Sequence, residues 1–188
     1  MEIVDVGYDS THYYVLSLKG RPKLLIDVGM PGTLAKLQHQ CKRAGVPLTD
    51  LKHLVCTHFH PDHAGLVSDL LPLGIRLILV DLQRGVAASV KPEYGAVNVA
   101  AALMTTLADS RVRLAQLGIA GQFIATPGHS DDSISVVLDS GAAFTGDLPP
   151  LFMAAEDSAA VLQASWARLR ACGATTIYPG HGSVWKLG

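Results

Sequence analysis

Nine residues, Thr57-His58-Phe59-His60-Pro61-Asp62-His63-Ala64-Gly65, restrict this chain more than any other stretch of it. In an extended segment successive side chains alternate, so His58 and His60 point the same way. Pro61 has no N–H to give to a sheet and suits the first turn of a helix. A fold that accommodates the run therefore ends a strand here and turns into a helix. Asp62 and His63 are then presented close to the first two histidines, from another direction. Four ligand-type side chains fall in the six positions from His58 to His63. Imidazole and carboxylate are the usual donors for zinc and related ions.

Three later segments repeat a simpler pattern, in which a strand end presents one potential ligand. Ala125-Thr126-Pro127-Gly128-His129-Ser130 ends an apolar strand with a Pro-Gly turn and a histidine. Phe144-Thr145-Gly146-Asp147 ends in an acid, and Ile177-Tyr178-Pro179-Gly180-His181-Gly182 repeats strand, Pro-Gly turn and histidine. Each alone is an ordinary turn polarity. With the first run they supply the donors that two metal ions need. Five of the 8 histidines stand at these positions. His12, His39 and His53 match none of them and read as surface or satisfied partly buried residues.

The rest of the chain reads as a single layered domain over residues 1–188. At 188 residues, with 49% hydrophobic and 16% charged residues, it can bury a sizeable core. That composition excludes disorder, collagen and coiled coil. Lys and Arg number 15 against 16 Asp and Glu, which argues against nucleic acid as a partner. No apolar run approaches the roughly 18–20 residues that span a bilayer, and the first residues do not read as a leader. Cys41, Cys56 and Cys172 are odd in number and widely spaced, without a disulfide framework. Together these features predict a cytoplasmic protein with no membrane association. A mean hydropathy of +0.30 suggests a homodimer that buries an apolar patch.

Periodicity predicts strands over 13–18 and 23–28, joined by a turn, and further strands over 54–57, 75–80, 122–126, 133–138, 142–145 and 175–178. Helices are predicted over 33–44, 62–71, 96–108 and 154–172. Leu103, Met104 and Leu107 read as one face of the third of these. Early strands pair as hairpins and later ones alternate with helices, which suggests two sheets with helices packed outside.

These residues resemble the metallo-β-lactamase-fold hydrolase superfamily. The likeness is carried by the HxHxDH run (His58, His60, Asp62, His63) and by His129, Asp147 and His181 in the family's order. Asp27, in Ile26-Asp27-Val28-Gly29, is similar to the family's early strand-end acid. The resemblance runs from about residue 3 to 185. It implies an α/β chain with a four-layer αβ/βα sandwich and metals at one edge of the two sheets. It further implies that His58, His60 and His129 hold one ion, that Asp62, His63 and His181 hold the other, and that Asp147 bridges them. The expected cofactor is two zinc ions, with iron or manganese as alternatives. The nucleophile would be a hydroxide held between the metals, since zinc lowers the pKa of bound water from about 15.7 to about 7. Asp62 is a ligand that could also accept a proton. Asp27, Thr126 and Ser130 are candidates to orient ligand histidines from behind. Phe59, Tyr94, Phe152 and Met153 are candidates to shape the substrate pocket.

Membership of such a family does not choose the substrate. Asp147 stands where the β-lactamases proper usually place Cys or Ser. His60 replaces the Glu of flavodiiron proteins, whose flavodoxin-like domain is not expected here. Glyoxalase II is similar in all seven ligands but adds a helical glutathione-holding domain after them. The arm of RNase Z enzymes is not evident. The expectation is therefore a dinuclear hydrolase of a small-molecule ester, thioester or lactone. Two alternatives stand beside it: a one-iron oxidoreductase resembling the persulfide dioxygenases, and a β-lactamase or promiscuous β-lactam hydrolase.

Overall fold

The computed structural model describes residues 1–94, 97–155 and 159–188, for Pro22 its backbone only. Six strands form one sheet in chain order: β1 (Glu2–Asp5), β2 (Tyr14–Leu18), β3 (Arg21–Ile26), β4 (His53–Val55), β5 (Arg76–Val80) and β6 (Leu103–Thr105). The first three pair antiparallel, and β3 to β6 run parallel. The second sheet contains β7 (Gly121–Ala125), β8 (Ile134–Leu138), β9 (Ala142–Gly146), β10 (Thr176–Pro179) and β11 (Trp185–Lys186), in the order β11-β10-β9-β8-β7. Only β9 and β10 are parallel there. The helices are α1 (Leu34–Arg43), α2 (Pro61–Ala64), α3 (Val67–Leu70), α4 (Arg84–Ser89), α5 (Ser110–Ala115) and α6 (Ala159–Ala171).

Alternation along the strands sorts their side chains into three apolar layers. Tyr14, Leu16, Ile78 and Val80 of the first sheet meet Phe123, Ile134, Val136 and Phe144 of the second between the sheets. Val15, Leu25, Leu77 and Leu79, on the opposite face, pack against Leu37 and Cys41 of α1 and Val67 and Leu70 of α3. Val137, Ala143 and Ile177 pack on Leu162, Trp166 and Leu169 of α6. Helix, sheet, sheet, helix is the expected four-layer αβ/βα sandwich. Strands buried on both faces explain why runs such as Leu77–Val80 are apolar throughout.

Three expected helices differ. Residues 97–108 form no α-helix, and residue 96 lies outside those described. A 3₁₀ turn at Val99–Ala101 leads into β6, whose Leu103, Met104 and Thr105 pair with Ile78, Leu79 and Val80. The free parallel edge of β5 overrides the helix propensity of the alanines, and Met104 is exposed while Leu103 and Leu107 pack between the sheets. The helix expected over 62–71 is divided at Gly65-Leu66 into α2 and α3. The long helix expected over 154–172 is α6, beginning at Ala159; residues 156–158 lie outside those described. Short pieces with weak periodicity, β1, β11, α4 and α5, have no counterpart in the sequence reading.

The topology sets the site. Strands β3, β4, β7, β9 and β10 all run toward the same edge of the sandwich. Asp27, His58, His129, Asp147 and His181 follow their C-terminal ends. None of the helices among the described residues is long and apolar enough to cross a membrane.

Candidate metal centre

His58 and His60 lie on the extended segment after β4, and His60 caps α2 with Pro61 in its first turn. Asp62 and His63 come from that single turn of helix, as the spacing requires. His129, Asp147 and His181 arrive from the second sheet. The donor atoms fall into two groups, His58/His60/His129 and Asp62/His63/Asp147/His181.

In the first group, His58 Nε2 lies 3.1 Å from His60 Nδ1, and His129 Nε2 lies 2.9 Å from that same nitrogen. In the second, His63 Nε2 stands 3.1 Å from Asp147 Oδ1 and 3.4 Å from Asp62 Oδ2. His181 Nε2 stands 3.2 Å from Asp62 Oδ2 and 3.5 Å from Asp147 Oδ1. Donors about 2.0–2.1 Å from a tetrahedral ion are about 3.3 Å from one another. Both groups match that edge length. Asp147 straddles them, because its other oxygen, Oδ2, lies 3.6 Å from His129 Nε2 and 3.9 Å from His58 Nε2.

Two buried atoms test the fit further. His63 Nε2 and Asp147 Oδ1 have no hydrogen-bond partner although both are shut off from solvent. A polar atom left so is costly unless something else satisfies it. An ion at the shared focus of these donors would do so, and the donor set suits zinc, iron or manganese.

Asp27 orients the rings from behind. Its Oδ2 accepts from His63 Nδ1 at 2.9 Å and from the Thr57 hydroxyl at 2.8 Å, while Oδ1 accepts from the Thr57 amide at 2.6 Å. With its own proton given to Asp27, the Thr57 hydroxyl accepts from His58 Nδ1 at 3.2 Å. One carboxylate thus holds Nδ1 of a histidine in each group and turns both Nε2 atoms to the focus. Asp27 holds a left-handed backbone, φ 62°, which Asp tolerates better than most residues. His181 is oriented differently, donating from Nδ1 to the carbonyl of Ser10 at 2.7 Å.

Close approach fixes two glycines. A Cβ at Gly180 would lie 2.6 Å from both Asp147 Oδ1 and His63 Cε1. Gly146 sits at φ +53°, and a Cβ there would run into the Thr57 hydroxyl.

The two groups have opposite electrostatics. Burial, then the neighbouring His63, lowers the pKa of His58 to about 2, so its ring stays neutral. His129 is also lowered, mainly by burial. Burial works against protonating His63 as well, but Asp27, Asp147 and Asp62 around it outweigh that and raise it to about 12. The His63 ring holds Asp62 below the usual carboxylate range. For Asp147, burial pulls upward, and the surrounding histidines, His63 foremost, bring it down. The carboxylate-rich half seeks positive charge, while in the other half burial holds His58 and His129 back from taking protons. Both are properties of a site for cations.

The other candidate residues fall less evenly. Thr126 bonds Ser135 across the β7–β8 pair at 2.8 Å, and Ser130 bonds Ser133 at 2.8 Å, so neither hydroxyl reaches a ligand ring. Phe59 does not line the mouth of the site; alternation turns its ring into the core beneath the helices, where it is buried. Tyr94, at the end of a 3₁₀ turn, is half exposed and does not line the cavity beside the metal centre. Phe152 and Met153 do. That cavity, of about 920 Å³, is lined by His129, Asp147 and His181 together with Leu151, Phe152, Met153 and Trp185.

Residues that the sequence reading missed hold the first run in place. Asp132, buried, accepts from the Phe59 amide at 2.8 Å. Gln83, also buried, donates to the carbonyls of Cys56, Thr57 and Asp132. Asp132 lies three residues beyond His129, which is a faint signal; Gln83 carries none.

Fold and site together define a metallo-hydrolase architecture. The chain belongs to the metallo-beta-lactamase superfamily, whose profile it matches over residues 6–181. It is 25% identical over 183 residues to the "Beta-lactamase-like protein 2 homolog" of Caenorhabditis elegans, covering 93% of this chain and 56% of that one. It is 29% identical over 149 residues to the "Probable metallo-hydrolase MJ0888" of Methanocaldococcus jannaschii, covering 75% and 68%. An atrochrysone carboxyl ACP thioesterase of Passalora fulva is 28% identical over 146 residues, covering 74% of this chain and 38% of that one. The chain spans about half the length of several curated relatives it matches. Among solved structures, a metallo-beta-lactamase family protein of Thermus thermophilus superposes with a TM-score of 0.70 at 20% identity, covering 98% of this chain and 74% of that one. The metallo-beta-lactamase MIM-1 of Novosphingobium pentaromativorans gives 0.73 at 19%, covering 95% and 73%. These likenesses are of fold.

Proposed function

We propose that the chain is a dinuclear metal-dependent hydrolase of a small ester, thioester or lactone with an apolar acyl side. One observation carries this reading: seven donor atoms in two tetrahedral-edge groups share a single straddling carboxylate, Asp147. His58, His60 and His129 would hold one ion, Asp62, His63 and His181 the other. Two dications there, zinc by preference, would acidify water and polarise the acyl oxygen. The protein's part is orientation and proton handling. Asp27 aims His63 directly and His58 through Thr57. Asp62, kept ionised beside His63, would offer its carboxylate to the ion and could pass on a proton, though so acidic a group would hold one only in transit. The apolar wall at Leu151, Phe152 and Met153 seats the acyl side against His129 and His181. The relative described as an ACP thioesterase supports the thioester branch.

The test is metal analysis of the purified protein coupled to a panel of esters, thioesters, lactones, phosphodiesters and a chromogenic β-lactam. Expected are about two ions per chain, acyl hydrolysis lost on chelation and restored by zinc, and its near abolition in His58→Ala and Asp147→Ala. Fewer than one ion per chain, or unchanged hydrolysis in both variants, would overturn the reading. One iron per chain with oxygen uptake on glutathione persulfide would replace it with the oxidoreductase.

A further inference from the structure

The hairpin between β1 and β2 is outside the metal centre, yet it touches it at one point. Its tip turns at Asp9-Ser10, closed by the paired Tyr8 and Thr11 backbones, with Asp9 at φ 57°. The Ser10 carbonyl at that tip is the acceptor that orients His181. His181 is also the most exposed of the ligand histidines that flank an acid, 40% against 0% for His63 and 29% for His129. His63 is held by a buried carboxylate. His181 is held by a backbone carbonyl on a surface loop, so its aim is only as firm as the loop.

Asp5 makes the loop firm. Its Oδ1 accepts from the Gly7 amide at 2.8 Å, on one arm of the hairpin. Its Oδ2 accepts from His12 Nδ1 at 2.6 Å, on the other arm. The two arms are tightly apposed, since a Cβ at Gly7 would lie 2.5 Å from the Thr11 carbonyl. His12 then ties the hairpin to the ligand's own turn, its amide donating to the Gly180 carbonyl at 2.7 Å, and its ring stacks on Tyr14 at 5.9 Å. Tyr8 docks the same hairpin on the start of α1 through the Thr33 hydroxyl at 2.6 Å.

We infer that Asp5 and His12 are positioning residues for His181, a clamp that fixes the Ser10 carbonyl and through it the affinity of the carboxylate-rich half for its ion. The histidine at position 12, which matched no ligand, thereby acquires a role without touching a metal or a substrate. This inference rests on the dinuclear reading for its effect on metal binding, but not for its effect on the His181 ring.

Two measurements separate them. In metal-free protein, nitrogen-resolved NMR of the His181 ring should show the Nδ1–H that meets the Ser10 carbonyl fully populated in wild type and only partly populated in Asp5→Ala. In a competitive zinc titration, Asp5→Ala should weaken the ion at Asp62, His63 and His181 about tenfold, the low end of the range for removing a group bonded directly to a ligand, and leave the other ion unchanged. Asp5→Asn, which keeps an oxygen for the Gly7 amide, should stay within a few-fold of wild type. His12→Phe, which keeps the stack on Tyr14, should give a smaller loss of the same kind should Asp5→Ala fail to fold. A wild-type Nδ1–H population and wild-type binding of that ion in Asp5→Ala and His12→Phe would overturn the clamp. Wild type binding fewer than two ions would instead overturn the dinuclear reading, and the Nδ1–H population would still decide the clamp.

Discussion

The two halves of the metal centre both contain buried histidines, and those histidines behave oppositely. In the half formed by His58, His60 and His129, burial lowers His58 to about 2 and lowers His129 as well. Asp62, His63, Asp147 and His181 form a half in which carboxylates raise a buried ring to about 12. A histidine's behaviour here is set by what stands behind and beside it, not by its position in a motif. His58 and His63 belong to one six-residue run, yet His58 faces imidazoles and His63 faces acids. Asp27 supports both, and Asp147 lies between them. The comparison teaches that the site is a pair of unlike cation seats with one shared wall.

Removing the shared wall should have the largest effect. Asp147→Ala is expected to lower kcat/KM for the best ester or thioester about a thousandfold, ~4 kcal/mol of barrier, and to reduce bound metal. Steady-state kinetics with metal content measured on the same sample check this. Full metal loading with unchanged kinetics would dissolve the idea of a shared carboxylate.

Next come the residues behind the ligands. Asp27→Asn should weaken both ions about 10- to 100-fold, because it disturbs His63 directly and His58 through Thr57. Thr57→Val should weaken only the imidazole half, by about tenfold. Stepwise zinc titration tells the two apart. Equal losses at both ions in Thr57→Val would refute the relay from Asp27 to His58.

The opposite pKa shifts predict a stability profile for the metal-free protein. His63, raised above its unfolded value near 6.5, contributes stability that is whole below that pH and is lost as pH rises toward about 12. His58, lowered, contributes stability that is whole above that pH and is lost as pH falls toward about 2. Chelator-treated protein should therefore unfold at its highest temperature near pH 6.5. His63→Gln should flatten the alkaline limb and His58→Gln the acidic one. A melting profile that changes in one direction only across this range would contradict the contrast between the halves.

The smallest effect is expected beside the metals. Phe152→Ser, at a side chain 87% exposed, should raise KM for long-chain acyl substrates about three- to tenfold with little change in kcat. Short acetyl substrates should not respond. A response equal for both chain lengths would remove the apolar wall from substrate binding.

Much of this was legible in the chain. The strand–turn–helix corner at His58–His63 follows from alternation and from Pro61, and both are local. The strand ends at His129, Asp147 and His181 are punctuated by Pro and Gly, which mark turns whatever surrounds them. The misread parts are those where a distant partner decides. The alanine-rich stretch near residue 103 becomes β6 because β5 offers it an edge. Phe59, flanked by ligands, turns inward because neighbours in an extended segment face opposite ways. Thr126 and Ser130 bond serines on the adjoining strand and loop, and nothing near them in sequence announces those partners.

By itself the sequence determined which atoms are available: five histidines and two acids of ligand chemistry at turns, each able to leave a strand end. Only the tertiary structure decided their assembly. Parallel strands of two sheets run to one edge, so Asp27, 30 residues before Thr57, lands behind two histidines of the run. Gly180 lets the last turn close against Asp147 and His63, and the Ser10 carbonyl comes from the start of the chain to aim His181. Ligand identity is local chemistry, carried by a few adjacent residues. Ligand direction, protonation and support are set by groups far apart in sequence, which only the packed sandwich brings within 3 Å of one another.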